Sequence, residues 1–293
     1  MIVREGEPLS RHTTFGIGGT AALYLVPESL QEVGEAVCMA KDRGMSYYII
    51  GRGSNLLFDD AGYNGVIIEI GRGLEQIAVE GNQVRVQAGS SMSAMGARLL
   101  EEELTGFEFA SGIPGTVGGG ITMNAGAYGG EIKDCICSAK VMAAEGTIQE
   151  LTKEELQLGY RSSVVLAEKY IVLEGTFSFE KGKREEILQR MRELNRSRRE
   201  KQPLEYPSGG STFKRPEGHF AGKLIQDAGL RGYRVGDAQV SEKHCGFVVN
   251  RGNATAADVR QLIREIQDRV WEKFQVRLEP EIRIVKSEME DSD

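Results

Sequence analysis

No apolar run in this chain approaches the roughly 18 residues that a membrane helix needs, and the opening Met1-Ile2-Val3-Arg4-Glu5 has no apolar signal core. Both absences set the expectation of a cytoplasmic protein without membrane insertion. Histidine is scarce: His12, His219 and His244 lie far apart, with no H-x-x-x-H pair and no ladder of acids. No metal site is expected from them. The four cysteines, Cys38, Cys135, Cys137 and Cys245, form no C-x-x-C pair, so neither a zinc site nor a disulfide framework is implied. Basic charge is also short, with 36 Lys and Arg against 43 Asp and Glu and a net charge of -7. A protein that wraps nucleic acid needs the opposite balance. The one basic stretch, residues 192–201, alternates with Glu193 and Glu200 and reads as a solvated helix face. A Walker loop and a Gly-x-Ser-x-Gly elbow are both missing.

Glycine is what the chain has in excess. Its 37 glycines among 293 residues exceed the usual share of about 7%, and they cluster. Gly51-Arg52-Gly53-Ser54-Asn55-Leu56-Leu57 follows an apolar run. Ser111-Gly112-Ile113-Pro114-Gly115-Thr116-Val117-Gly118-Gly119-Gly120 comes some sixty residues later and runs into Asn124-Ala125-Gly126. Without a Cβ, backbone N–H groups can turn inward and a ligand can approach closely. Two such loops in one chain point to a long phosphorylated cofactor held along its length. Taken alone, the first loop is equally consistent with a plain tight turn. The second mixes proline with apolar residues, a poor fit to solvent and a good one to a ring system.

The pattern along the chain predicts two or three compact units. A helix after Pro27 places Leu30, Val33, Val37 and Ala40 on one face and stops at Gly44. Residues 47–50 read as a buried strand feeding the first glycine loop, and 66–70 as another strand. No helix opens after Gly53, so the doubly wound dinucleotide fold, whose glycines must start a helix, is disfavoured. Further expectations are a strand at 84–87, a helix over 91–103, and strands near 140–143 and 170–179. Thr152 and Glu155 give a capping-box signal for a short helix. A charged helix over 184–201 ends before Pro203 and Pro207. Beyond it lie a helix through Ala221, Leu224, Ile225 and Ala228, a strand at 246–249, a long helix from the Thr255 cap and a strand at 281–285. The acidic tail 287–293 is expected to be disordered.

Single residues carry weaker signals. Arg161, after an aromatic, offers the rigid fork that matches a carboxylate, although most arginines are surface residues. Ser211 tops a third glycine turn; a hydrolase nucleophile is disfavoured there, while a proton-donating hydroxyl is open. Glu281 opens a strand just after Pro280, and unaided it reads as an edge charge.

In combination these segments resemble the UDP-N-acetylenolpyruvoylglucosamine reductase family. The resemblance rests on Thr14-Phe15-Gly16-Ile17-Gly18-Gly19, the two glycine loops, Tyr160-Arg161-Ser162-Ser163, Gly210-Ser211-Thr212-Phe213-Lys214 and Leu278-Glu279-Pro280-Glu281, six pieces in order over nearly the whole chain. It implies an α+β protein: a two-subdomain FAD-binding fold of the vanillyl-alcohol-oxidase/PCMH type plus a C-terminal α+β substrate-binding domain. The limits expected are 1–70 and 71–182 for the subdomains, 183–202 for a connecting helix and 203–286 for the last domain. The short connection from Pro203 to Ser211 resembles the form of the family without an extra tyrosine loop. The implied activity is NADPH-dependent reduction of an enolpyruvyl UDP-sugar through non-covalent FAD in peptidoglycan synthesis, by a monomer. Gly51, Arg52, Gly53, Ser54, Asn55 and Leu56, then Ser111, Gly112, Ile113, Gly115 and Thr116, then Asn124, Ala125 and Gly126, would hold the FAD. Arg161 would hold the substrate carboxylate, Glu281 would pair with it, and Ser211 would supply the proton. Lys201 and Lys214 would contact substrate. A related flavin oxidase or dehydrogenase is the alternative, but neither glycine loop offers a histidine for covalent attachment.

Overall fold

The computed structural model describes residues 1–287, so the tail beyond Ser287 lies outside the described residues. The chain forms two compact units. The first comprises Met1–Arg4, Tyr24–Arg52 and Val66–Arg198; the second comprises Glu5–Leu23, Gly53–Gly65 and Arg199–Asp293.

In the first unit, helix α1 spans Leu30–Asp42. Its Ser29 cap accepts a hydrogen bond from the Glu32 amide at 3.2 Å, and Gly44 follows its end with φ +62°. Val33, Ala36, Val37 and Ala40 form its buried face. Strand Tyr47–Ile50 pairs in parallel with residues 66–69. Only Ile50 of this strand is buried and Tyr47, Tyr48 and Ile49 are half-buried, so the expectation of a buried strand holds only at its end. The unit also holds a five-stranded antiparallel sheet, in the order Ile148–Thr152, Ile136–Met142, Ile171–Ser178, Gln83–Gln87, Ile77–Glu80. Helix α2 (Met92–Glu101) is capped by Ser91.

Two local expectations fail for identifiable reasons. The second glycine segment is not loop throughout, since Thr116 caps a helix α3 over Val117–Thr122. Its glycines serve packing. A methyl on Gly118 would lie 2.9 Å from the Ala88 Cβ, and one on Gly175 of the neighbouring strand 2.7 Å from Ile121 Cδ1. The Thr152–Glu155 capping bonds do form, at 2.8 Å and 3.3 Å, but they close a turn rather than a helix. The helical turn comes later, as α4 (Val164–Ala167), capped by Ser163. Helix α5 (Arg184–Lys201) buries Ile187 and Leu194 and exposes most of its charges.

The second unit is a three-stranded antiparallel sheet, Arg234–Val235, Ala238–Val240 and Val248–Asn250, packed with helices α6 (Ala221–Asp227) and α7 (Ala256–Phe274). The strand expected at 246–249 thus starts two residues later, and the one expected at 281–285 is Arg283–Val285. The latter pairs in parallel with Leu56–Phe58. Val259, Leu262, Ile263, Ile266 and Val270 enter one core with Phe15, Leu57, Phe213, Ile225 and Val240. Each such side chain contributes roughly 1.5–3 kcal/mol relative to exposure.

The start of α7 is fully satisfied. Thr255 and Asp258 form a capping box, while the Asp60 carboxylate accepts from the Ala256 and Ala257 amides at 2.7 and 2.9 Å. Replacing Thr255 by Ala removes one cap and is expected to cost about 1 kcal/mol. Asp60→Ala leaves two amides unpartnered and is expected to cost at least as much. Urea unfolding checks both; unchanged midpoints would contradict the capping account.

Candidate active site

The first glycine loop is shaped by what surrounds it. A methyl on Gly51 would sit 2.4 Å from Thr116 Oγ1 and 3.1 Å from Thr116 Cγ2. The two glycine segments therefore touch at this point, and only a residue without a Cβ permits it. Gly53 has φ +60°, and a methyl there would meet the His12 carbonyl oxygen at 2.1 Å. That glycine is required by its own chain's packing, not by a ligand. Among the described residues, no backbone N–H from Gly51 through Asn55 has a hydrogen-bond acceptor. Arg52 is exposed and Ser54 half-buried. Asn55 is anchored instead: its side-chain amide donates to the Glu281 carbonyl at 3.1 Å, and its own carbonyl accepts from the Arg283 amide at 2.9 Å. Leu56 is buried at the start of the strand that pairs with Arg283.

In the second segment Ser111 is buried and its hydroxyl donates to the Glu108 carbonyl at 2.9 Å. Ile113 and Gly115 are half-buried. The Gly112 carbonyl accepts from the Arg198 guanidinium, and a methyl on Gly112 would collide with Asn195 Oδ1 at 2.2 Å. Burial pulls the Arg198 pKa below its usual value, and its Nε is buried without a partner. Arg198 had no signal in sequence beyond its place in a charged helix.

Asn124 is fully buried and has φ +42°. Its amide nitrogen donates to Glu131 Oε2 at 3.0 Å and to the Gly159 carbonyl at 2.9 Å. Its amide oxygen accepts from the Lys133 amide at 2.9 Å. Arg161 lies in the turn closed by Gly159 and Ser162 and holds φ +54°, a conformation that costs a non-glycine residue about 1–3 kcal/mol. Its guanidinium reaches the carbonyls of Asn124 and Gly126 at 3.5 and 3.4 Å and lies 5.1 Å from the Tyr160 ring centroid. Arg161 is thus brought to the Asn124-Ala125-Gly126 segment. The Lys133 ammonium, 2.7 Å from Glu131, holds that carboxyl below the usual carboxylate range, with the Asn124 amide and the Arg161 charge acting the same way. Sequence reading missed Glu131; its only signal was Asp134 three residues on.

In the second unit, Gly209 is wedged so that a methyl would lie 3.0 Å from both Phe15 Cδ2 and Ile282 Cγ2. Thr14, from the first of the six segments, donates its hydroxyl to the Ser208 carbonyl at 2.7 Å and fixes the base of the serine turn. Ser211 is exposed at its tip. The next residue, Thr212, is buried. Its carbonyl accepts from the Glu281 amide, and its amide donates to the Gly246 carbonyl, both at 2.8 Å. Phe213 bridges to Pro280, so the serine turn and the segment carrying Glu281 share one scaffold. Lys214 pairs with Glu279 at 3.2 Å, and Lys201 is exposed at the end of α5.

The backbone amides from Gly51 to Asn55 have no acceptor among the described residues, and unpaired amides of a glycine-rich turn suit an anion such as the diphosphate of FAD. Among the described residues no group of three or more His, Cys, Asp or Glu could hold a metal. No helix among them is long and apolar enough to cross a membrane.

A model of the FAD binding domain matches residues 21–152. A model of the UDP-N-acetylenolpyruvoylglucosamine reductase C-terminal domain matches residues 202–285. The α+β fold and the FAD cofactor expected from sequence are borne out, and the class is an FAD-dependent oxidoreductase. A UDP-N-acetylenolpyruvoylglucosamine reductase from Lachnoclostridium phytofermentans is 54% identical over 95% of this chain and 91% of its own length. One from Clostridium kluyveri is 51% identical over 97% and 93%. The crystal structure of the corresponding Thermus caldophilus enzyme superposes with a TM-score of 0.83 at 35% identity, covering 97% of this chain and 98% of that one. The chain belongs to the UDP-N-acetylenolpyruvoylglucosamine reductase family.

Gly51→Ala drives a methyl into Thr116 and is expected to weaken FAD retention at least about tenfold, while Thr116→Ala in the same chain recovers part of the loss by removing the two colliding atoms. Bound flavin absorbance after gel filtration measures this. Full flavin content in Gly51→Ala would contradict the packing argument.

Proposed function

We propose that this chain reduces the enolpyruvyl group of UDP-N-acetyl-3-O-(1-carboxyvinyl)-glucosamine to give UDP-N-acetylmuramate, with NADPH as reductant, in peptidoglycan precursor synthesis. The observation that carries most weight is the shared scaffold of Ser211 and Glu281, linked through the Thr212 carbonyl and the Glu281 amide at 2.8 Å. It ties together the backbone segments that carry a hydroxyl and a carboxylate from distant parts of the sequence. When bound without a covalent link, FAD supplies the hydride, taken from NADPH and delivered to the terminal vinyl carbon.

The rest is the work of side chains. Addition of hydride at the vinyl terminus leaves negative charge on the carbon bearing the ether oxygen, conjugated into the carboxylate. Arg161 binds that carboxylate through its planar fork and stabilises the developing charge; a preorganised donor of this kind is usually the largest catalytic effect. Its strained turn and its two carbonyl contacts support such preorganisation. Ser211 gives its proton to the ether-bearing carbon, and its alkoxide regains one from solvent at the exposed turn once product leaves. A hydroxyl is a weak acid in water, but an enolate carbon shielded from water is a strong base. Glu281 orients the carboxylate end and shares a proton with it. Lys201 contacts the diphosphate. Lys214 is available as a second cation, because an exposed pair such as Lys214–Glu279 is worth only about 0–1 kcal/mol.

Backbone amides of Gly51, Arg52, Gly53, Ser54 and Asn55, with Leu56 behind them, would hold the FAD phosphates. Ser111, Gly112, Ile113, Gly115, Thr116, Asn124, Ala125 and Gly126 would line the phosphates and the isoalloxazine. The same reading takes 1–70 and 71–182 as cofactor subdomains of the vanillyl-alcohol-oxidase/PCMH type, joined by 183–202 to a substrate domain at 203–286, in a cytoplasmic monomer.

Ser211→Ala is expected to leave flavin reduction by NADPH within about twofold of normal and to slow reoxidation by the enolpyruvyl sugar by roughly 10²–10⁴. Stopped-flow absorbance resolves the two half-reactions, and equal slowing of both would remove Ser211 from the proton-donor role. Arg161→Lys keeps the charge but loses the fork, and it is expected to cost roughly 10² in the reoxidation step. Near-normal rates in that variant would place substrate carboxylate recognition elsewhere.

A further inference from the structure

We infer that Glu131 is a positioning residue for Arg161, acting with Asn124 to set where the guanidinium lies for a substrate carboxylate. The inference rests on the proposed role of Arg161 and adds a residue to it. Three segments meet around one buried amide. Asn124 ties its own loop to Glu131 at 3.0 Å, to the Lys133 backbone at 2.9 Å and to the Gly159 carbonyl at 2.9 Å. The Gly159 bond fixes the base of the turn from which Arg161 projects with φ +54°. The same loop supplies the two carbonyls that the guanidinium meets at 3.5 and 3.4 Å.

The Glu131 carboxylate supplies the charge. It feels the Arg161 guanidinium, yet the Lys133 ammonium at 2.7 Å occupies part of its field. Glu131 thus acts on Arg161 through the Asn124 amide they share and through its charge. Glu131 has a second, purely structural duty, since it forms a capping box with Asp134 around residues 132–134. The two duties can be separated, because Asp134 takes part in the cap and in none of the Asn124 bonds.

The experiment uses the FAD-loaded enzyme and reads three quantities: flavin retention, the rate of flavin reduction by NADPH, and the affinity for the enolpyruvyl sugar nucleotide from its perturbation of the oxidised flavin spectrum. Glu131→Gln keeps an oxygen for Asn124 and is expected to weaken that affinity about tenfold, leaving reduction by NADPH within about twofold. Asp134→Asn disturbs the cap and leaves every Asn124 bond in place, and it is expected to leave the affinity within about twofold. In the background of Arg161→Lys, Glu131→Gln is expected to have little further effect, because residues acting through one another are non-additive. An equal loss in both backgrounds, or no loss in either, overturns the positioning role. If Arg161→Lys itself changes nothing, the fault lies with the role given to Arg161. Should Glu131→Gln lose its flavin, Lys133→Met on the exposed lysine tests the same field. It strengthens the pull of Glu131 on Arg161 and is expected to weaken sugar-nucleotide affinity several-fold, a loss absent in the Arg161→Lys background; unchanged affinity overturns the inference.

Discussion

The approach of Gly51 to Thr116 is the constraint on which the cofactor side of this molecule depends. At 2.4 Å from the Thr116 hydroxyl to the place a Cβ would occupy, the turn after strand Tyr47–Ile50 lies directly on the residue that caps α3. Thr116 in turn fixes the start of that helix through the Gly119 amide. Helix α3 can lie close to the sheet only because Gly118 and Gly175 carry no side chain where they meet Ala88 and Ile121. Glycine therefore does two separate jobs. At some positions it allows chain to pack on chain, and at others it leaves backbone amides free. Gly118 does the first job, and Gly53 does both, since the His12 carbonyl excludes a Cβ there while its amide has no acceptor.

The second unit solves a different problem. Ser211 must project from a turn while its neighbours stay fixed, and the sequence meets this with alternation. Gly209 is wedged between Phe15 and Ile282, Gly210 takes φ +79°, and Thr212 is buried with its hydroxyl accepting from the Val248 amide at 2.8 Å. Exposed serine therefore sits on a rigid support. The 279–281 segment is held to that support by backbone bonds and by the Asn55 side-chain amide on the Glu281 carbonyl. In the first unit Asn124 does the equivalent work with a buried amide that makes three hydrogen bonds. Buried polar groups satisfied in this way fix one arrangement.

Much of this was legible in the sequence, for physical reasons. Helices α1, α5 and α7 were readable because their apolar residues recur at helical spacing and because Ser29, Gly44 and Thr255 give local stop and start signals. The absence of a helix after Gly53 correctly excluded the doubly wound fold. What was not legible depends on contacts distant in sequence. Nothing near α7 announces that Asp60 completes its cap. Short strands such as Arg234–Val235 and Ala238–Val240 are too brief for a period to show. The helix α3 was hidden by three glycines, which propensity assigns to loop, and tertiary packing overrode that preference. The Thr152–Glu155 signal was real as a hydrogen-bond pattern but lacked a following run able to continue a helix. Among site residues, Arg161, Ser211 and Glu281 were named through their resemblance to a family. Glu131 and Arg198 could not be named, since their significance lies in what burial and the neighbouring loops do to their charges.

The central claim is that free backbone amides in a glycine loop hold an FAD through which electrons pass from NADPH to an enolpyruvyl sugar nucleotide. An anaerobic titration of the purified protein tests it most directly. The account predicts a yellow protein whose absorbance is bleached by one equivalent of NADPH and restored by one equivalent of UDP-N-acetyl-3-O-(1-carboxyvinyl)-glucosamine with no oxygen present. A colourless protein, or a reduced flavin that the sugar nucleotide leaves bleached, would contradict it.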